Sequence, residues 1–291
     1  MKVKLKKRYK KIIIVGAPRS GTNMLRDILT SFNNIETWPC DEINYVWRHG
    51  NMFYPSDEIP IKNANNLAKK YIRGSFDFIH KKYNADVVIE KTCANSLRIP
   101  FVNKIVPEAK YIFIYRDGID VSGSAKKRWT AKLDISYILA KARFIPISDL
   151  FIYASRYLFT RIFRFFSKEG RLAFWGPASD DIKKNLNKYS LNEVCALQWK
   201  SCVDKAENAF SKMSDDKVIR LSYENFVCQP VIELNRILKF IGKDIEAEKI
   251  ADSVKNVSDR NIGKGRRALG DEEVLKLEML VKDTLKRYDY L

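Results

Sequence analysis

A glycine-bounded loop near the start of the chain has the residues of an anion-binding site. The loop reads Gly16-Ala17-Pro18-Arg19-Ser20-Gly21-Thr22-Asn23. It joins a short apolar run, Ile12–Val15, to a stretch with a helical pattern, Met24–Phe32. Glycines allow a tight turn that aims backbone N–H groups inward, and the following helix N-terminus adds partial positive charge. The spacing predicts a phosphate cradle containing the guanidinium of Arg19. An ordinary glycine turn is the simpler alternative.

The cradle departs from the P-loop that binds nucleoside triphosphates, G-x-x-x-x-G-K-[ST]. Thr22 and Asn23 stand where that motif has a lysine for the β/γ-phosphates and a hydroxyl for Mg²⁺. The cradle therefore favours one phosphate group over a metal-bound triphosphate, and we expect no metal.

A second anion site is indicated downstream. The buried strand predicted over Lys110–Tyr115 runs into Arg116, and Ser124 follows about two turns into the next predicted helix. Ligands of open α/β sheets bind at the carboxyl ends of strands, and a guanidinium binds two oxygens at once. A surface Arg–Asp pair with a helix cap is the alternative for this segment taken alone.

Together the two segments resemble the 5′- and 3′-phosphate loops of sulfotransferases that use 3′-phosphoadenosine-5′-phosphosulfate (PAPS). Further segments resemble that family in the same order: Glu90-Lys91-Thr92, Trp175-Gly176-Pro177, Cys195–Trp199, Leu221–Phe226 and Asn261–Arg266. The resemblance extends from Lys11 to about Glu273. It implies an α/β fold of three layers, a central parallel sheet flanked by helices, similar to that of P-loop NTPases.

The resemblance also implies roles for individual residues. Arg19 neutralises charge on the bridging and leaving oxygens, and Lys91 contacts the sulfuryl group. The 5′ phosphate is bound by Ser20, Gly21, Thr22 and Asn23, and the 3′ phosphate by Arg116 and Ser124. Tyr223 lies near the adenine. The late loop, residues 261–266, closes over the donor through Lys264, Gly265 and Arg266.

The catalytic base is less directly indicated. Cytosolic relatives have a histidine two residues after the lysine, where this chain has Cys93. Tyrosylprotein-type relatives use a glutamate downstream of the first helix, which matches Glu42. A carboxylate serves as a base when partial burial raises its pKa. Asp41 and His49 are the substitutes, and a helix N-terminal acidic pair is the structural alternative for Asp41 and Glu42.

The positive net charge favours anionic partners, nucleic acid among them, and does not decide which partner binds. The chain has 53 Lys and Arg against 35 Asp and Glu, a net charge of +18, which attracts an anionic donor and an anionic or membrane-bound acceptor. The acceptor implied is a hydroxyl or amine, with a saccharide or glycolipid favoured, and no nucleic acid is expected. A nucleotide kinase or NTPase, and a non-catalytic basic protein that binds nucleic acid or membrane, are the alternatives.

The five cysteines are scattered without a C-x-x-C pair, which favours reduced thiols in the cytoplasm. The basic segment before Ile12 resembles a signal n-region, but the apolar run after it is too short for a signal peptide. We expect a basic arm over residues 1–10 and no membrane anchor ahead of the first strand.

The alternation of apolar runs with helical patterns predicts one domain over residues 1–291. Strands are expected at Lys11–Val15, Ala85–Ile89, Lys110–Tyr115 and Lys217–Leu221, and helices at Val231–Ile241 and Asp271–Tyr288. A helical acceptor-side insertion is expected over about 130–187. Within it, residues 150–168 place basic and aromatic side chains on opposite arcs. This pattern suits a helix packed on the core or one lying on the inner membrane face.

Overall fold

Five strands form one parallel sheet in the computed structural model, which describes residues 9–129, 148–155, 158 and 174–291. The strands are β1 (Lys10–Val15), β2 (Ile35–Glu36), β3 (Val87–Lys91), β4 (Lys110–Tyr115) and β5 (Val218–Ser222). Their spatial order is β2-β3-β1-β4-β5, and every neighbouring pair is parallel. The strand that leads into the cradle therefore lies at the centre of the sheet.

Helices connect the strands. They are α1 (Thr22–Leu29), α2 (Asn44–Arg48), α3 (Asn66–Tyr83), α4 (Ile99–Ile105), α5 (Gly118–Trp129), α6 (Ile182–Lys188), α7 (Leu191–Phe210), α8 (Tyr223–Cys228), α9 (Pro230–Phe240), α10 (Ala247–Val254), α11 (Lys264–Arg267), α12 (Asp271–Leu280) and α13 (Lys282–Arg287). Residues 148–155 are also helical. Short 3₁₀ helices span Ile61–Asn63, Cys93–Leu97 and Asp259–Asn261.

Both faces of the sheet are buried, which explains the unbroken apolar runs in β1 and β4. In β1, Ile13 and Val15 belong to the core shared with α3, α4 and α7. Ile12 and Ile14 point to the other face and pack with α1, α9 and α10. The result is the expected three-layer α/β fold, with helices on both sides of a parallel sheet.

The predicted elements are largely confirmed, with differences at their ends. The strand expected at Ala85–Ile89 runs over Val87–Lys91, and the one at Lys110–Tyr115 has the expected ends. The single helix expected over Asp271–Tyr288 is wrong. It is two helices, because the backbone leaves the helical region at the buried, β-branched Val281 (φ −121°, ψ 21°).

Several expectations fall largely on residues that the structure does not describe. These are the basic arm, of which only residues 9 and 10 are described, and most of the insertion over 130–187. Of the segment 150–168, only 150–155 and 158 are described. Within the described ranges, none of the helices has the length and apolar character needed to cross a bilayer.

Candidate active site

The motifs that the sequence indicated meet at the carboxyl edge of the sheet. Strand β1 ends at the cradle, β3 ends at Lys91, and β4 runs into Arg116. Because Ile14 pairs with Lys91 and Val15 pairs with Phe113, the three strand ends are neighbours. Parallel sheets bind ligands at this edge, where the strand order reverses around the central strand.

The cradle has the tight backbone that its glycines predicted. A Cβ atom at Gly16 would lie 2.4 Å from the carbonyl oxygen of Ile114, so only glycine fits there. Gly21 has φ +87° and Arg19 has φ 72°, both in the left-handed region. Within the described residues, the buried Oγ of Ser20 has no hydrogen-bond partner. An unpartnered hydroxyl inside such a loop fits a bound anion.

The residues of the two predicted anion-binding sites contact each other directly. Nε of Arg19 donates to Oγ of Ser124 at 2.9 Å, and Nη1 of Arg116 donates to the carbonyl oxygen of Arg19 at 3.2 Å. Nε of Arg116 is buried and has no hydrogen-bond partner among the described residues. Partial burial, followed by the positive charges of Arg128 and Arg116, lowers the pKa of Arg19. The arginines therefore form a local excess of positive charge, as an anion site requires.

Tyr223 lies between these two groups. The ring is 5% exposed, and the guanidinium carbon of Arg116 is 4.3 Å from its centroid. Its other neighbour is the cradle, since a Cβ atom at Gly21 would be 2.6 Å from Cδ2 of the ring. Tyr223 thus holds the cradle and Arg116 together, and its contact with adenine stays a prediction.

Glu42 and Lys91 meet beside the cradle although 49 residues separate them. Nζ of Lys91 donates to Oε1 of Glu42 at 3.1 Å and to Oδ1 of Asp41 at 3.4 Å. Burial of Lys91 disfavours its ammonium form, but the negative charges of Glu42 and Asp41 outweigh this and raise its pKa. The backbone N–H of Cys93 also donates to Oε1 of Glu42, at 3.4 Å. A carboxylate is therefore held at a fixed position at the end of β3.

The two substitutes for the base lie in different places. Asp41 contacts Lys91 and also accepts a hydrogen bond from Nη1 of Arg26 at 3.2 Å. His49 follows the far end of α2, where its Nδ1 is 2.9 Å from Oδ2 of Asp149. The structure therefore places Asp41 beside Lys91 and Glu42, and it pairs His49 with Asp149.

The late loop packs on α5, and the contacts of Lys264 and Arg266 with the donor stay predictions. Lys264 is exposed, and the guanidinium of Arg266 is bound by the carboxylates of Asp117 and Glu278. The backbone N–H groups of Gly263, Gly265 and Arg266 donate to Asp120, a residue that sequence reasoning missed. The signal for Asp120 was its position four residues after Arg116, in the first turn of α5, where its carboxylate forms an ion pair with the Arg116 guanidinium.

Comparisons with known proteins relate this chain to sulfotransferases. Residues 11–143 match the model of the sulfotransferase family. Among solved structures, the sulfotransferase domain from the curacin biosynthetic pathway is 13% identical with a TM-score of 0.54, covering 95% of this chain and 99% of that one. The sulfotransferase domain from the Synechococcus PCC 7002 olefin synthase is 15% identical with a TM-score of 0.52, covering 98% and 97%. A comparison with curated proteins gave no match. Residues 11–143 are therefore similar to the sulfotransferase family, and the described residues have the fold of these two sulfotransferase domains.

Proposed function

We propose that this protein is a sulfotransferase that moves a sulfuryl group from PAPS to a hydroxyl or amine of an acceptor. The observation that carries the proposal is the direct contact between two anion-binding sites, namely the cradle and the site formed by Arg116 and Ser124. The donor has a 5′ phosphosulfate and a 3′ phosphate on one ribose, so it needs two anion sites a short distance apart. Each of the two sites has a buried hydrogen-bond donor with no partner among the described residues: Oγ of Ser20 in the cradle and Nε of Arg116 in the other site.

Sulfuryl transfer is an in-line displacement in which positioning and charge stabilisation supply most of the catalysis. The acceptor oxygen or nitrogen forms a bond to sulfur, and the bond from sulfur to the 5′ phosphate oxygen breaks, leaving its electron pair on adenosine 3′,5′-bisphosphate. Glu42 takes the acceptor's proton. Arg19 stabilises charge on the leaving oxygen. Lys91 uses two of its three N–H donors on Glu42 and Asp41, and the third is available for the sulfuryl oxygens.

We further propose a saccharide or glycolipid as the acceptor. The support is the carboxylate at Glu42 combined with Cys93 at the position of the histidine base of cytosolic relatives. A glycolipid would suit a cytoplasmic enzyme that touches the inner membrane face through residues 150–168. In the described part of that segment, Phe151 is 83% exposed and Leu158 is 59% exposed. Cosedimentation with anionic vesicles tests this contact, and protein left wholly in the supernatant removes it.

A thermal-shift comparison tests the donor. Adenosine 3′,5′-bisphosphate at about 100 times its Kd should stabilise the protein by about 2.7 kcal/mol and raise its Tm by several degrees. ATP with magnesium and a short DNA duplex should give smaller shifts. A larger shift with ATP and magnesium would indicate a nucleotide kinase or NTPase. A larger shift with DNA would indicate a nucleic-acid-binding protein.

A substitution at Ser124 tests the assignment of the 3′ phosphate. Ser124→Ala should weaken binding of adenosine 3′,5′-bisphosphate more than binding of adenosine 5′-phosphate, because only the first ligand has the 3′ group. Ser253→Ala is the matched control, since its hydroxyl bonds a backbone carbonyl within α10, away from the cradle. Equal losses for both ligands in Ser124→Ala would contradict the assignment.

A further inference from the structure

We propose that Asp120 is a positioning residue that assembles the site for the donor's 3′ phosphate. Its carboxylate joins Arg116 on one side to the backbone of the late loop on the other. The assignment of the 3′ phosphate rests on the proposed function, whereas the assembly of the loop by Asp120 does not.

The carboxylate of Asp120 is buried and fully engaged. Oδ2 accepts hydrogen bonds from Nη2 of Arg116 at 2.8 Å and from the N–H of Gly263 at 2.8 Å. Oδ1 accepts from the N–H of Gly265 at 2.6 Å and from the N–H of Arg266 at 3.1 Å. Only 1% of Asp120 is exposed. Hydrogen bonds to a buried carboxylate are among the stronger ones in proteins, so this single side chain fixes three backbone N–H groups of the late loop.

The backbones of α5 and the late loop also touch. A Cβ atom at Gly265 would lie 2.1 Å from the carbonyl oxygen of Asp120, and one at Gly123 would lie 2.5 Å from the carbonyl oxygen of Gly265. Such close approach requires glycine on both sides. The contact lets the carboxylate of Asp120 reach the loop N–H groups from the first turn of α5.

Arg116 is held by the same arrangement. Its Nη2 also donates to the carbonyl oxygen of Asn261 at 2.6 Å, so the first residue of the late loop binds the guanidinium directly. Asp120 and Asn261 together fix the orientation of Arg116, whose Nε lies buried with no described partner. If the loop moves away, Arg116 loses both restraints at once.

This role predicts an effect opposite in sign to that of charge alone. Asp120 is a negative charge beside an anion site, so Coulomb's law alone predicts tighter anion binding when it is neutralised. Positioning predicts the reverse, because Asp120→Asn places amide hydrogens against loop N–H groups and the guanidinium. The same substitution therefore separates the two explanations.

The first measurement is hydrogen–deuterium exchange without any ligand. In Asp120→Asn, the late loop should exchange at least about tenfold faster, since each lost charge-assisted bond corresponds to about a factor of ten or more. Amides within α5 should stay protected by the helix. Gly265→Ala should release the same loop without any change of charge. Asp252→Asn, an exposed aspartate paired with Lys255, is the control for charge and should change neither segment.

The second measurement is calorimetric titration of wild type and Asp120→Asn with adenosine 3′,5′-bisphosphate and adenosine 5′-phosphate. We expect Asp120→Asn to lower the affinity for adenosine 3′,5′-bisphosphate at least about tenfold, because charge-assisted hydrogen bonds are lost. Its affinity for adenosine 5′-phosphate should fall less. Tighter binding of the first ligand would overturn the proposal, as would unchanged exchange in the late loop.

The two measurements keep the two proposals apart. A wild-type protein that does not distinguish the two ligands contradicts the proposed function, while the exchange data still decide whether Asp120 assembles the loop. Faster exchange with unchanged ligand discrimination would show that the loop does not contribute to the 3′ site, and that part of the inference would be withdrawn.

Discussion

Replacing Gly21 with alanine tests whether the cradle depends on one backbone conformation and one contact. Gly21 has φ +87°, and a Cβ atom there would lie 2.6 Å from Cδ2 of Tyr223. A side chain in the left-handed region costs about 1–2 kcal/mol. Displacing the buried tyrosine ring adds about 1–3 kcal/mol of overpacking. We therefore expect Gly21→Ala to lower the free energy of unfolding by about 2–5 kcal/mol.

The chain offers a matched control with the opposite sign. Gly74 lies within α3, and a Cβ atom there would meet nothing within 4 Å. Gly74→Ala should raise the free energy of unfolding by about 0.5–1 kcal/mol, because alanine loses less backbone entropy in a helix. The same chemical change is thus predicted to be destabilising in the cradle and stabilising in α3.

Urea unfolding of the three proteins measures both effects. With a slope of about 3 kcal/mol per M, Gly21→Ala should lower the midpoint by about 0.7–1.7 M. Its affinity for adenosine 3′,5′-bisphosphate should also fall at least about tenfold, or about 1.4 kcal/mol, because the shifted ring no longer supports Arg116. If Gly21→Ala unfolds at the wild-type midpoint and binds the ligand normally, the described backbone of the cradle is wrong.

Two further substitutions test the carboxylates at the end of β3. Glu42→Gln should lower sulfuryl transfer from labelled PAPS to mixed oligosaccharides by about 10²–10⁴-fold with donor binding retained, and full activity would assign the proton to another group such as Asp41. Burial raises the pKa of Glu90 from 4.5 to about 7, so Glu90 stabilises the fold below pH 4.5 and this contribution is lost as the pH rises to 7. The free energy of unfolding of the wild-type protein should therefore contain a decline of about 3 kcal/mol between pH 4.5 and 7 that is absent in Glu90→Gln, as measured by urea unfolding. Parallel pH profiles for the two proteins would refute this.

The sequence predicted those parts of the fold that depend on local pattern. Strand β4 has the expected ends because five apolar and aromatic residues follow Lys110, and the four from Tyr111 to Ile114 are buried. Strand β3 ends two residues later than expected, at Lys91. Glu90 and Lys91 look like the start of a loop, but both are buried: Asn95 donates a hydrogen bond to Oε2 of Glu90, and Lys91 forms an ion pair with Glu42.

The candidate site divides in the same way. The cradle could be read from the chain because two glycines and a following helix encode it within eight consecutive residues. The same holds for Arg116, which stands at the end of a recognisable strand. The contact between the cradle and Arg116 could not be predicted from the sequence, because the order of strands in the sheet depends on packing between elements far apart in the chain.

Residue types and spacing alone determined a parallel α/β sheet, a phosphate cradle and a resemblance to sulfotransferases. Only the tertiary structure decided that Glu42 meets Lys91, that Tyr223 is buried between Gly21 and Arg116, and that Asp120 binds a loop 145 residues away. The physical reason is how far apart in the chain the interacting residues lie. Backbone conformation follows from neighbours in the chain, whereas the partner of a buried charge is whichever group the folded core brings within hydrogen-bond distance.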